Sequence, residues 1–234
     1  MASSGHESWT DSHSDSTSRR RNGRSASRGV VLVCVLIPRD MAASLSPYHA
    51  LMPARWEALS ALPPVSAVPG TKAAVLVPVY EADGRLRLIM TRRPVDMRSH
   101  PGDVVFPGGM IDPADAGPVD TALREAAEEV GLGRDDVVQI LGGLTPVHTR
   151  SVTMRIVPVV ARVHRPATLV AQPEEVSAIL EPSIDELLDD DRWQSRFWGP
   201  GRHMWFYQFP EGVLWGATAM MVRELLGYFR RDVA

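Results

Sequence analysis

The first 28 residues show no apolar period. Nine Ser and five Arg stand there with almost no aliphatic side chain. Sustained patterning begins at Ala73. Ala73 to Tyr80 is an almost unbroken apolar run of strand length, Glu81 to Gly84 supplies turn residues with Asp83-Gly84 at the tip, and Arg85 to Arg92 alternates on the way back. The stretch predicts a β-hairpin. Val104 to Phe106 reads as a short strand broken by Pro107-Gly108-Gly109. A polar loop then leads to a helix with Pro118 in its first turn and Gly131 as its C-terminal cap. Val137 to Leu144 and Val152 to Val163 predict further strands, and Ser183 opens a short helix ending near Asp190. Arg202 to Phe209 predicts a strand and Gly216 to Arg230 a closing helix. Strands and helices in this order, with no internal repeat, fit an α+β fold, a mixed β-sheet flanked by helices in an α/β/α sandwich, better than a doubly wound parallel sheet.

Composition narrows the function classes. With 234 residues, 44% of them hydrophobic, the chain can bury one sizeable core. A net charge of −3 gives no global field for nucleic acid or anionic membranes. The longest apolar run, Val30 to Ile37, is far short of the roughly 20 residues that span a bilayer. Cys34 is the only cysteine, which excludes an internal disulfide and fits a reducing, cytoplasmic setting. Only Lys72 among the 25 basic residues is lysine, so arginines carry less functional weight here than usual. Residues 1–40 are expected to be disordered or an over-extended start, with translation from Met41. Arg19 to Arg28 followed by Val30 to Ile37 outlines a signal peptide but lacks a small-residue cleavage site. Residues 41–69 read as a Pro-punctuated lead-in with one helical candidate at Arg55 to Leu62, and 70–234 as the folded domain.

The chemistry concentrates on the helix after the Gly pair. Leu123, Ala126, Ala127 and Val130 fall within one arc at about 100° per residue, and Arg124, Glu125, Glu128 and Glu129 lie opposite. Carboxylates three and four residues apart repel by a few tenths of a kcal/mol per pair. A divalent cation reverses that sign, and Mg²⁺ prefers oxygen ligands that it shares with substrate phosphates. The competing reading is an ordinary solvated face with a routine Arg124 to Glu128 ion pair.

The string Arg124-Glu125-Ala126-Ala127-Glu128-Glu129-Val130-Gly131-Leu132 resembles the second half of the Nudix box. One extra residue in the first half puts Gly109 and Asp115 at its glycine and acidic positions, a form seen in one Nudix branch. Upstream, Ile89-Met90-Thr91-Arg92-Arg93-Pro94, Arg98, Gly102 and Phe106-Pro107-Gly108-Gly109 are similar to the signature that precedes the box in coenzyme A pyrophosphatases.

The resemblance implies a Nudix-type sandwich that hydrolyses the diphosphate of coenzyme A or its thioesters with Mg²⁺ or Mn²⁺. Glu125 and Glu129 would be the main metal ligands, with Glu128 completing the cluster or activating water. Arg124 would orient a glutamate. Glu175 is the other candidate general base, and a solvated loop carboxylate is its plain alternative. Arg93, Arg98, Gly108 and Gly109 would meet the substrate. His100 reads as a residue satisfied by its own loop, and Met204, Trp205, Phe206 and Trp215 read as core rather than a ligand groove. The partner is a small molecule, not nucleic acid or membrane, and the oligomeric state is open. Two alternatives stand: a Nudix hydrolase of another nucleoside diphosphate derivative, such as ADP-ribose, a dinucleoside polyphosphate or a damaged nucleotide; and a non-catalytic nucleotide-sensing module, which the retained acids disfavour.

Overall fold

The hairpin seeds the first sheet. In the computed structural model, which describes residues 56–148, 154–197 and 203–230, β1 (Thr71–Ala82) turns through Asp83 and Gly84 into β2 (Arg85–Leu88). Asp83 and Gly84 both have positive φ, 52° and 70°, which matches a two-residue turn to the twist of its strands. The return strand is shorter than its alternation suggests. Pairing ends at Val79 with Leu88. Ile89 N–H still donates to the Pro78 carbonyl at 3.2 Å, but Pro78 has no N–H to give back. The chain then leaves this sheet, and β3 (Met90–Arg92) belongs to a second one.

β4 (Asp103–Val105) pairs with β3, and β5 (Gly108–Met110) returns to lie antiparallel on β1. The Gly pair therefore sits in a strand rather than breaking one. α1 (Pro118–Val130) has Pro at its first position, where no N–H is needed. It ends at Gly131, φ 72°, whose N–H turns back to the Ala126 and Ala127 carbonyls. β6 (Val137–Gly143), β7 (Val147–His148), β8 (Arg155–Val163) and β9 (Ala178–Leu180) follow. α2 (Ile184–Leu188) is capped by Ser183 Oγ, which accepts the Glu186 N–H at 3.1 Å. β10 (Trp193–Phe197), β11 (His203–Gln208), β12 (Val213–Trp215) and α3 (Gly216–Arg230) close the fold.

Two mixed six-stranded sheets result where the pattern suggested one. The first runs β2-β1-β8-β6, with β5 also on β1 and β7 on β8; the second runs β10-β11-β12-β4-β3-β9. β1 and β8 are parallel, as are β12 and β4, and the other pairs are antiparallel. β1 is buried on both faces, which explains its continuous apolar run. Ala74 and Leu76 pack into the core beneath α1, whereas Val77 and Val79 join the core that contains α3 and the inner face of the second sheet. The architecture is an α+β sandwich.

The lead-in is part of this structure from residue 56 onward. Trp56–Ala61 forms a 3-10 helix that buries Ala58 and Leu59. Trp56 Nε1 donates to Glu81 at 2.9 Å, the Arg162 guanidinium lies 4.4 Å from the Trp56 ring, and Gly143 N–H donates to the Pro63 carbonyl at 2.8 Å. The expectations for residues 1–40 and for 41–55 lie outside the described residues. Among the described residues no helix is long and apolar enough to cross a membrane. Leu59 is fully buried, so Leu59→Ala is expected to lower unfolding stability by about 2–5 kcal/mol in urea titration. Unchanged stability would make this segment a linker.

Candidate active site

α1 buries a different arc from the one its periodicity suggests. Ala127 is exposed and Glu129, expected on the outward face, is 5% exposed. The reason is β5, which lies against the helix with two residues that have no side chain. A Cβ at Gly109 would stand 2.5 Å from the Glu125 carboxyl carbon, and one at Gly108 would stand 2.6 Å from Val75 Cα. Glycine at 109 lets β5 close on the Glu125 side of α1, and glycine at 108 lets β5 close on β1. Gly108 N–H points at Glu129 Oε1 across 3.4 Å. In this structure Gly109 thus makes room for Glu125, and Gly108 fits β5 to β1 while its N–H faces Glu129.

The third acid arrives from a distant loop. Val170 N–H donates to the Val130 carbonyl (3.0 Å) and Gln172 N–H to the Glu129 carbonyl (2.9 Å), which pins the segment to the end of α1. The Gln172 carbonyl accepts from Glu175 and Val176, and Ser177 N–H donates to the Arg92 carbonyl at 2.8 Å. Held at both ends, the loop brings a Glu175 oxygen into a group with Glu125 and Glu129 whose atoms all lie within 4.8 Å of one another. Glu128 is not a member of that group. Its carboxylate is 60% exposed and meets Arg124 at 3.2 Å.

Burial pushes the Glu129 carboxyl up to about 8, and the charges of Glu175 and Glu125 add to the rise. The Gly108 N–H and Arg93 oppose it. Burial also raises Glu125, against the pull of Arg124. Three carboxylates sharing so small a space form an all-oxygen donor set with a deficit of positive charge. That donor set fits a hard divalent cation such as Mg²⁺ or Mn²⁺.

Arg124 organises the rim. Its guanidinium fork grips Asp115, Nε to Oδ1 and Nη2 to Oδ2 at 3.1 Å each, and Nη2 also donates to the Met110 carbonyl at 3.1 Å. Nη1 stands 3.0 Å from Glu125 and 3.2 Å from Glu128. Asp115 also accepts from Thr121 Oγ1 (2.8 Å) and the Asp112 N–H (2.9 Å). Arg124 foremost holds its carboxyl well below the usual carboxylate range. The role of Asp115 was visible in the sequence only as an irregular spacing; here it anchors the arginine that orients Glu125.

The basic candidates separate. Arg93 is half-buried. Its Nε and that of Arg92 are buried without a hydrogen-bond partner among the described residues. Arg98 is exposed on the loop between β3 and β4. His100 Nδ1 lies 3.0 Å from Asp103 of its own loop. Trp205 packs against the core with the Arg223 guanidinium 3.7 Å from its ring, whereas Phe206 and Trp215 belong to neither core.

An α+β sandwich in which two helix glutamates and a loop glutamate converge beside a Gly-Gly strand presents a candidate divalent-cation site. The chain matches the NUDIX domain family over residues 70–214 and belongs to that family. It is similar to proteins named "Uncharacterized Nudix hydrolase NudL". That of Enterobacter sp. (strain 638) is 39% identical over 160 residues, 66% of this chain and 80% of the relative. That of Photorhabdus laumondii subsp. laumondii is 36% identical over 157 residues, 65% of this chain and 82% of the relative. The Escherichia coli (strain K12) protein is 35% identical over 158 residues, 66% and 80% of the two chains. Among solved structures, the MutT protein from Methanosarcina mazei Go1 is 16% identical and covers 71% of this chain and 99% of its own, at a TM-score of 0.46. That superposition is too loose to bear on the chemistry.

Gly109→Ala is expected to displace the Glu125 carboxylate and weaken Mn²⁺ binding, read by electron paramagnetic resonance. Wild-type affinity would remove the close approach from the account. Metal-free protein is expected to lose thermal stability as pH rises from about 4.5 to about 8. The folded state keeps the Glu129 proton that the unfolded chain, at its ordinary 4.5, has already released. Glu129→Gln should flatten that slope. An equal slope in the variant would place the titration elsewhere.

Proposed function

We propose that the protein hydrolyses the diphosphate bond of coenzyme A or of its thioesters, giving 3′,5′-ADP and 4′-phosphopantetheine or its acylated form. The observation that supports the diphosphate part of this reading is Arg93. Its Nε is buried and unpartnered among the described residues, and its charge acts on Glu129. A buried donor left without a partner costs about 1–3 kcal/mol. A phosphate oxygen in that place would satisfy it beside the carboxylates. Arg93 is also a fixed position of the segment from Ile89 to Gly109 that resembles the coenzyme A pyrophosphatase signature. The relatives named as Nudix hydrolases support hydrolysis as the reaction class.

In this reading Glu125 and Glu129 would hold Mg²⁺ or Mn²⁺, and the ion, when bound, would supply positive charge to the diphosphate and to the attacking water. Glu175, the exposed member of the cluster, takes the proton from that water. Oxygen adds to phosphorus, the bond to the bridging oxygen breaks, and the second phosphate leaves as a monoester. Arg124 keeps Glu125 and Glu128 in place and touches no substrate. Arg98, exposed on its loop, meets the 3′-phosphate of coenzyme A.

Incubation with Mg²⁺ and coenzyme A, acetyl-CoA, dephospho-CoA, ADP-ribose or NADH, with products resolved by chromatography, tests the assignment. Coenzyme A or a thioester is expected to have the highest kcat/KM, and a preference for ADP-ribose or NADH would overturn it. Glu129→Gln is expected to lower turnover by orders of magnitude with the fold retained. Arg98→Ala should raise KM for coenzyme A more than for dephospho-CoA; equal effects would remove Arg98 from the 3′-phosphate.

A further inference from the structure

The second sheet carries an aromatic pair that neither core uses. Thr91 pairs with Val105, Leu214 with Val104, and Phe206 with Trp215. Because side chains alternate along each strand, Thr91, Val105, Trp215 and Phe206 share one face of the sheet. Arg93 continues the register of β3, its N–H donating to the Asp103 carbonyl at 3.0 Å. It therefore follows Thr91 on that same face, from which its charge reaches Glu129. The opposite face, with Val104, Leu214 and Tyr207, belongs to the core.

Phe206 and Trp215 are half-exposed, and their rings are nearly parallel, 4° apart in orientation with centroids separated by 6.3 Å. The Arg196 guanidinium lies 5.7 Å from the Phe206 centroid, and the His100 ring lies 6.2 Å from that of Trp215. His100 holds a left-handed backbone, φ 55°, with Asp103 at its Nδ1. A flexible amide and thiol chain has no use for parallel rings flanked by a guanidinium and an imidazole. A flat heteroaromatic ring that carries phosphates does.

We propose that the Phe206 and Trp215 pair receives the nucleobase of the substrate, with Arg196 and His100 at its two ends. The proposal rests on the substrate being a nucleoside diphosphate derivative, not on its being coenzyme A. It also sets the direction of binding, with the base over the second sheet, the diphosphate at Arg93 and the carboxylates, and the other half of the substrate beyond them.

Calorimetric titration of the full chain with AMP, and separately with 4′-phosphopantetheine, tests the pair. Phe206→Leu is expected to weaken AMP binding roughly tenfold and to leave 4′-phosphopantetheine unchanged, as loss of one stacking surface requires. KM for the nucleoside diphosphate that the protein turns over should rise in parallel, with kcat within about twofold, because a uniform binding interaction is lost. Phe206→Tyr should restore both. Absence of AMP binding in the wild type, unchanged AMP affinity in Phe206→Leu, or a loss confined to 4′-phosphopantetheine would overturn the proposal. Should Phe206→Leu fail to fold, Arg196→Ala, on the exposed β10, must weaken AMP several-fold, and wild-type affinity there would overturn it equally. AMP binding that depends on Phe206 in a protein that leaves coenzyme A intact would end the coenzyme A assignment and leave this one standing.

Discussion

Three carboxylates crowd into one space beside a strand that opens with two glycines, and the arrangement around them follows from that crowding. Glu129 is almost wholly buried, and Glu125 and Glu175 lie close enough for their oxygens to fall within 4.8 Å of one another and of Glu129. Like charges at this range in a partly desolvated site destabilise the ionised form. The rise of Glu129 to about 8 comes first from burial and then from the charges of Glu175 and Glu125. Such a cluster is a candidate seat for a divalent cation, whose charge would relieve the repulsion. Gly109 makes the crowding possible by leaving no Cβ against Glu125, and Gly108 by letting β5 lie close on β1.

Arg124 meets the cluster from its rim. Its fork is occupied by Asp115 and the Met110 carbonyl, so it reaches Glu125 and Glu128 from the side with one nitrogen. The guanidinium thereby orients the acids while leaving the inner oxygens of Glu125, Glu129 and Glu175 facing one another. A lysine could not do this. The task needs several donors in a fixed plane, which only the guanidinium supplies.

The two-sheet topology decides what else reaches this point. β1 ends its pairing with β2 at Val79, next to Pro78, and the chain crosses to β3 of the second sheet. Arg93 then stands at the end of β3, and the loop that delivers Glu175 is tied to the Arg92 carbonyl through Ser177. A short interruption in one hairpin thus places a cation and an acid beside the same helix, with the half-exposed aromatic pair on the face of the second sheet that carries that cation. Both proposals about substrate draw on this convergence.

Much of the fold was legible in the amino-acid order because it rests on local rules. The Asp83-Gly84 turn, Pro118 and Gly131 at the ends of α1, Ser183 at the start of α2, and the period of α3 each follow from backbone geometry available within a few residues. β7, β9, β10 and β12 were not legible. They are two to five residues long and exist because a neighbouring strand offers hydrogen bonds. The same division runs through the site. The spacing of Glu125, Glu128 and Glu129 determined that one helix carries three acids. Tertiary contact decided which of them is buried, since only the approach of β5 distinguishes Glu129 from Glu128. It also decided that the third member is Glu175, 46 positions after Glu129 in the chain, because no periodicity links a helix to a loop that hydrogen bonds carry to its end.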